Sequence, residues 1–465
     1  MTSISTLMCR CHVLISDVEA ELLLDAMHGR SGAARRKRGG HEHAALVCTA
    51  GQGETEVRAG ATVYFGADVG VLWWLSAARR ESTMTQGSRH GDGGNRDGCQ
   101  SQRRAVPAAG SRPVCRAGAA NHGGREQRVK VARLHGVGDM RVSDEHQPAP
   151  GSGESLVRVT AVGLCGSDLH WFTEGGIGNA QLSHPLVLGH EFAGVVQGGP
   201  DDGRRVAVDP ARPCGACEQC LEGNRNLCPS VRFAGHGADD GGLRDYLVWP
   251  TALLHTVPAA LNDADAAMLE PLGVALHAHD LGKTRAGGVV AVIGCGPIGL
   301  CLVQLARAAG ARQVVALEPL RHRREAAAGM GADVALDAEA DDVREALAEA
   351  TAGRGVDVAF EAAGNDAAVG LAIAAAKPGG RVVLAGIPER DTVTFSASVA
   401  RRKGLTINLS RRMKDMYPRA TALAADGLVN VSSIVSHTFP LVRADEAFRA
   451  ASHRVGLKII VTPNA

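Results

Sequence analysis

Cys165, Ser167 and His170 stand close together in Gly163-Leu-Cys-Gly-Ser-Asp-Leu-His170, and Gly189-His190-Glu191 follows about two dozen positions later. A thiolate, an imidazole and a carboxylate suit a catalytic zinc, which takes few protein ligands and keeps one position for substrate. Cys165 and His190 fit that role, and Glu191 or Glu270 could complete it. Ser167 adds a hydroxyl and His170 a second imidazole, both able to move protons.

Two further clusters narrow the chemistry. Cys214-x2-Cys217-x2-Cys220-x7-Cys228 brings four thiols into one short stretch. Four thiolates at this spacing close a tetrahedral zinc shell with no open position, so the site reads as structural. The same thiolates could serve an iron–sulfur centre or pair as disulfides. In a chain this large, cysteines so tightly clustered favour metal. The second cluster is Gly294-Cys-Gly296-Pro297-Ile298-Gly299, directly after the apolar run Val289–Ile293 and opening a helix over Pro297–Gly310. The first glycine permits the turn, the second lets backbone approach a pyrophosphate, and the third allows close helix–strand packing. The helix N-terminus then offers unpaired N–H groups to the phosphates. Glu318, 19 residues past Gly299, ends the next strand and can accept from the adenosine ribose hydroxyls. That carboxylate favours NAD, while Arg321, Arg323 and Arg324 nearby keep NADP open.

Whole-chain totals exclude other classes. The 465 residues carry a formal net charge of +1, which argues against a nucleic-acid or membrane-surface partner. The four-cysteine stretch also lacks the basic and aromatic neighbours of a nucleic-acid knuckle. The apolar run Ala61–Ala78 contains Asp68 and two glycines and is read as not transmembrane. No signal peptide is evident, and the need for reduced thiols points to the cytoplasm.

These clusters need elements to hold them. Residues 1–128 have Arg-, Gly- and Ser-rich patches without sustained period and read as a poorly structured extension. It is either a regulatory or targeting segment or a dispensable tail translated upstream of the true start. From Val129, alternation in Val129–Leu134 and Glu154–Val162 predicts short strands, continuing to about Val248 as a β-rich barrel. Asn262-Asp-Ala-Asp starts a helical stretch. Strands at Val289–Ile293, Gln313–Leu317, Val334–Leu336, Val356–Phe360 and Arg381–Ala385 then alternate with helices, which predicts a doubly wound parallel sheet. The last fifty or so residues read as a return to the first domain.

Gly-x-Cys165-Gly-Ser-Asp-x-His170, Gly189-His-Glu191, the Cys214–Cys228 cluster, Glu270-Pro-Leu-x-Val-Ala-x-His277 and Gly294–Gly299 occur in the order seen in zinc-dependent medium-chain alcohol dehydrogenases. The resemblance covers Val129 to the C-terminus. Gly-Gly-Ile-Gly-Asn179 and Tyr417-Pro-Arg-Ala resemble the polyol branch, with its sorbitol, xylitol and L-idonate enzymes. It implies an α/β chain: a GroES-like catalytic domain at 129–273, a Rossmann domain at 274–409, and a return to the catalytic domain at 410–465. It implies two zinc ions, the catalytic one on Cys165, His190 and Glu191, with Glu270 binding directly or through water. Ser167 and His170 match the family's proton relay. Arg412 falls where sorbitol-type enzymes place a substrate-side arginine, though Met413 and Lys414 differ from the usual pattern. Trp171 replaces a commoner tyrosine in the pocket wall, and Ala234–Gly242 is shorter than in relatives. The implied activity is NAD(P)-linked oxidation of a secondary alcohol of a polyol or sugar acid, in a dimer or tetramer. A threonine 3-dehydrogenase-like amino-alcohol oxidation and a non-catalytic nucleotide sensor are the alternatives.

Overall fold

The computed structural model describes residues 12–14, 45–47, 127–388 and 390–464. The chain divides into two compact units, residues 1–115 and 116–465. In the first, His12–Leu14 pairs antiparallel with Ala45–Val47. The expectations for Ala61–Ala78, and for most of residues 1–128, lie outside the described residues.

The second unit opens with an antiparallel hairpin, β1 (Arg128–Gly136) and β2 (Asp139–His146). β3 (Glu154–Gly163), β4 (Glu191–Gln197), β5 (Arg205–Val208), β6 (Tyr246–Pro250) and β7 (Leu254–Thr256) follow. They pair antiparallel in the order β7-β5-β4-β3, with β6 also on β3. Strand period explains β3: Val157, Val159 and Ala161 are buried while Arg158 and Thr160 between them are half-exposed. α1 (Gly166–Glu174) hangs from the end of β3.

Two helices lead out of this barrel. α2 (Asp263–Ala267) is capped by Asn262, whose side chain accepts from Asp265 N–H at 2.9 Å while the Asp265 carboxylate accepts from Asn262 N–H at 3.0 Å. α3 (Leu269–Gly282) runs without a break through residues 273 and 274, where the sequence suggested a domain division. Its Leu269, Leu272, Ala275, Leu276 and Ala278 are all buried, as in a helix covered on every side. A single core explains this. It extends from Ala161 and Ala193 of the barrel through Leu272 and Leu276 to Val290 and Val292 of the next sheet.

That sheet is built from β8 (Val289–Ile293), α4 (Pro297–Ala308), β9 (Gln313–Leu317), α5 (Arg321–Gly329), β10 (Val334–Leu336), α6 (Val343–Ala350), β11 (Val356–Glu361), α7 (Asp366–Ala375), β12 (Ala376–Leu384), α8 (Ala397–Arg402) and β13 (Thr406–Leu409). All six strands are parallel, in the order β10-β9-β8-β11-β12-β13. This is the doubly wound Rossmann order, whose ligand crevice lies where the winding reverses, between β8 and β11. All five residues of β8 are buried, as a central parallel strand requires.

The chain then crosses back through α9 (Tyr417–Ala425), β14 (Val435–Pro440), α10 (Ala444–Ser452) and β15 (Lys458–Thr462). β15 lies antiparallel on β3, pairing Ile460 with Gly163, and parallel to β14. Tyr417 Oη donates to the Val208 carbonyl at 2.6 Å, fastening α9 to β5. Among the described residues no helix is long and apolar enough to cross a membrane.

One carboxylate joins the first two strands of the switch point at their lower ends. Asp357 of β11 accepts from the N–H of Val289 at 2.9 Å and from Arg354 at 2.8 Å, and pairs with Lys377 at 2.6 Å. The Arg354 guanidinium, aided by Lys377 and Val289 N–H against partial burial, holds its carboxyl well below the usual range. A lowered folded pKa contributes stability above the unfolded value, about 3.9, and loses it as pH falls through the folded value. Asp357→Asn should therefore lower Tm at pH 7, with the difference from wild type shrinking below about pH 4. A difference that stayed constant down to pH 2 in a thermal-melt series would contradict it.

Candidate active site

β3 ends at Gly163, and the chain turns through Leu164 and Cys165 into α1. Cys165 is the residue before the helix and Asp168 lies in its first turn. Asp168 is fully buried. It accepts from Cys165 N–H at 3.0 Å and Gly189 N–H at 3.1 Å, and lies 3.4 Å from His190 Nδ1. His190 immediately precedes β4, the strand beside β3, so two segments distant in sequence meet at the same edge. With Nδ1 turned to Asp168, His190 Nε2 faces the cavity, 3.5 Å from Ser167 Oγ.

Donor atoms of Cys165, His190 and Glu191 lie within 4.8 Å of one another. Burial alone would push the His190 imidazole down. The Asp168 carboxylate and Cys165 sulfur beside it outweigh that and hold it well above its ordinary value. A site that favours positive charge, with one thiol, one imidazole nitrogen and one carboxylate converging, fits a zinc ion. Glu191 also pairs with the buried Lys458 of β15, whose ammonium donates to Leu164 O at 2.9 Å. Glu270, on α3, is buried and lines the same cavity but stands outside this converging group. Burial raises its carboxyl to about 7, with Glu191 adding to the rise and His190 opposing it.

The Cys214, Cys217, Cys220 and Cys228 sulfurs also lie within 4.8 Å of one another. Backbone N–H groups of Cys217 and Cys214 point at sulfurs, at 3.4 Å each. Those of Ala216 and Cys217 hold the Cys214 thiol down to about 6. Four inward thiols with N–H support fit a closed structural zinc shell.

Between β8 and α4 the glycine turn faces the crevice. Gly294 adopts φ +90°, and a Cβ there would come 2.8 Å from Ala363 N, in the loop after β11. A Cβ on Gly299 would collide with the Gly294 carbonyl. At Gly296 an Arg323 nitrogen, 3.8 Å away, is the only neighbour of such an atom within 4 Å among the described residues, so this face is open to a ligand. Pro297 begins α4, with Ile298 behind it. Glu318 follows β9, yet its carboxylate is already engaged: it accepts from Cys295 N–H at 2.7 Å and Leu320 N–H at 3.1 Å. Of the three nearby arginines, Arg323 lines the cavity. Arg321 pairs with Glu325, and Arg324 donates to the carbonyls of Glu318 and Pro319.

A single cavity of about 810 Å³ joins the two ends, with the Cys165–His190–Glu191 group at one and the glycine turn at the other. Its wall also includes Trp171, packed edge-on against His236 at 5.4 Å, and Arg412, whose guanidinium lies 3.7 Å over the Phe233 ring. Burial lowers the Arg412 pKa to about 10. His170 lines the same cavity, with Nδ1 2.8 Å from Glu174.

Comparison with known proteins agrees with this layout. Residues 297–426 match the family model of zinc-binding dehydrogenases, and residues 151–259 match that of the alcohol dehydrogenase GroES-like domain. Sorbitol dehydrogenase of Bacillus subtilis is 35% identical over 348 residues, 73% of this chain and 98% of the relative. The chain is a zinc-binding medium-chain dehydrogenase of the polyol branch. Among solved structures, a zinc-binding dehydrogenase from Sinorhizobium meliloti bound to NADP is 33% identical, with a TM-score of 0.68 over 72% of this chain and 100% of that one. L-idonate 5-dehydrogenase from Escherichia coli is 28% identical, with a TM-score of 0.65 over 72% of this chain and 98% of that one.

Within this medium-chain dehydrogenase, sequence reasoning passed over two residues. Asp168 sits inside the cysteine–serine–histidine motif itself, and its place in the first turn of α1, three residues after Cys165, carried a capping signal. Lys458 had no signal, because its partner Glu191 is reached only through the pairing of β15 with β3.

The glycine geometry separates cofactor binding from folding. Gly296→Val fills the open face and should weaken reduced-cofactor binding by about tenfold or more, with Tm near wild type. Gly299→Ala should lower Tm, because the obstructing atom is backbone. Fluorescence titration with NADH and NADPH beside thermal melts checks both, and equal effects of the two variants on Tm would refute the distinction.

Proposed function

We propose that this dehydrogenase oxidises a secondary alcohol of a polyol or sugar acid to the ketone, with the hydride passing to NAD in preference to NADP. The observation that carries the proposal is the convergence of Cys165, His190 and Glu191 in the same cavity as the glycine turn. A zinc ion held there would polarise a substrate hydroxyl, and the nicotinamide ring would accept hydride.

The chain's own residues handle the proton and the pose. Ser167 Oγ, 3.5 Å from His190 Nε2, is at the metal-binding end and can take the hydroxyl proton. His170, partnered by Glu174 on the same helix, leads towards solvent and can pass it on. Trp171 and Arg412 wall the substrate side, the arginine offering charged donors to substrate oxygens. Glu270 stands by as a buried acid whose carboxyl can ligate directly or hold a water. Gly294, Gly296 and Gly299 with the start of α4 take the pyrophosphate, and Arg323 lies beside it. Glu318 next to the turn disfavours a 2′-phosphate. Residence in the cytoplasm and a dimeric or tetrameric state belong to the same reading. Val393, Phe395 and Val399, exposed in the segment that precedes the edge strand β13, offer apolar surface to a second copy.

A panel of hexitols, aldonates and threonine, read at the reduced-cofactor absorbance with NAD and NADP, tests the reaction class. Turnover should be found with a hexitol or aldonate and be faster with NAD. Turnover of threonine alone would replace this proposal with the amino-alcohol one. Cys165→Ser should lower kcat/KM by about three orders of magnitude, several kcal/mol of lost metal assistance. Metal analysis should count two zinc ions per subunit in the wild type and one in that variant.

A further inference from the structure

Arg412 has an unusual backbone for a side chain so long. Its φ is +50°, in the left-handed region that L-residues other than glycine adopt at a cost. Such a conformation persists only where the surroundings hold it. The bonds that flank φ are the peptide from Arg411 on one side and the Arg412 Cα–C bond on the other. Fixing the orientation of the Arg411 carbonyl therefore fixes one side of that torsion.

The group that fixes it comes from the four-cysteine lobe. Asn226 lies in the single turn Arg225–Leu227, between Cys220 and Cys228, and is buried. Its Nδ2 donates to the Arg411 carbonyl at 2.8 Å. The amide orientation is dictated by this partner, because a carbonyl only accepts. The second Nδ2 hydrogen points at His277 Nε2 on α3, 3.4 Å away. Burial, and to a lesser degree Lys414, lowers the His277 pKa, so the ring is neutral and able to accept. Arg225 next to it reaches the buried Asp209 at the end of β5, at 3.2 Å. The lobe is thus tied to β5, to α3 and to the peptide that precedes Arg412. On the other side of that peptide, the Arg412 guanidinium lies over Phe233, whose ring packs against His190 at 5.2 Å.

We propose that Asn226 is a positioning residue for the substrate wall: its hydrogen bond to the Arg411 carbonyl clamps the peptide that sets Arg412 in its left-handed conformation and aims the guanidinium into the cavity. The four-cysteine lobe thereby acts on substrate recognition as well as on the fold. His277, the last residue of the Glu270-Pro-Leu motif, then holds Asn226 in register from α3. The inference rests on the placement of Arg412 in the substrate wall under the function proposed above.

A double-mutant cycle tests it, with sorbitol and L-idonate as substrates and saturating NAD. Arg412→Ala should raise the substrate KM by about tenfold, the scale of one hydrogen bond to a charged group. Asn226→Ala, and Asn226→Asp, which keeps the shape and removes the donor, should raise the substrate KM in the same direction. Neither should move the KM for NAD. In the Arg412→Ala background the Asn226 substitutions should add nothing further. Zinc content and Tm of each variant are measured in parallel, and a general loosening of the lobe would show there and would move the NAD KM as well. Effects on substrate KM that add fully to that of Arg412→Ala would overturn the proposal. So would Asn226 variants with wild-type substrate KM. An Arg412→Ala variant with wild-type KM would instead overturn the substrate-wall reading of Arg412, and the positioning role with it. Absence of turnover with either substrate would overturn the proposed reaction itself.

Discussion

Asp168 is the group on which the Cys165–His190–Glu191 end of the cavity depends. One buried carboxylate receives the N–H groups of Cys165 and Gly189 and faces the His190 ring. Those groups belong to two segments, one leaving β3 and one entering β4, and the carboxylate sets their separation. Burial would raise its pKa, but His190 and the two N–H groups hold it low, so it stays charged and keeps its donors. A buried charge is tolerable only with such partners, which makes the arrangement self-enforcing. The imidazole is oriented by the carboxylate, and the carboxylate is kept ionised by the imidazole.

The other requirement is that this end and the glycine turn stay at a fixed separation, since hydride transfer depends on holding two reacting atoms together. α3 meets it. The helix brings Glu270 into the cavity near its start, supplies His277 to the lobe contact, and packs between barrel and sheet in one continuous core. β15 provides a second tie, bringing Lys458 back to Glu191 through its pairing with β3. The Cys165–His190–Glu191 end of the cavity is therefore assembled from the beginning, middle and end of the unit at once.

What could be read in the sequence follows from which interactions are local. Val289–Ile293, Gln313–Leu317 and Val334–Leu336 are parallel strands of one sheet, legible from their apolar runs even though β9 opens on the polar Gln313. β12 is harder to read. It begins at Ala376 rather than Arg381, because Lys377-Pro-Gly-Gly380 carries turn chemistry inside a strand whose register with β11 shifts there. The division suggested at residues 273 and 274 falls inside α3, since a helix buried by both domains shows no polar break at their border. At the site, the four cysteines are legible from spacing alone because they are close in the chain. Cys165, His190 and Glu191 lie in two separate stretches, so residue type and spacing left Glu191 and Glu270 both open as the third ligand; the structure converges the first three because those stretches meet at the ends of the neighbouring strands β3 and β4. Lys458, and the Cys295 partner of Glu318, depend on contacts between distant segments, and residue type at one position carries no trace of them.

Glu318 has an implication for changing the coenzyme. Its carboxylate braces the Cys295 N–H inside the glycine turn and the Leu320 N–H immediately before α5. The residue that would discriminate against a phosphorylated ribose is thus also a strut of the glycine turn proposed to cradle the pyrophosphate. Replacing it with a small neutral side chain to admit NADP would strip two backbone donors of their acceptor and slacken the cradle for either dinucleotide. A successful exchange of coenzyme in this scaffold would need a compensating acceptor in the turn, introduced together with the change at the ribose.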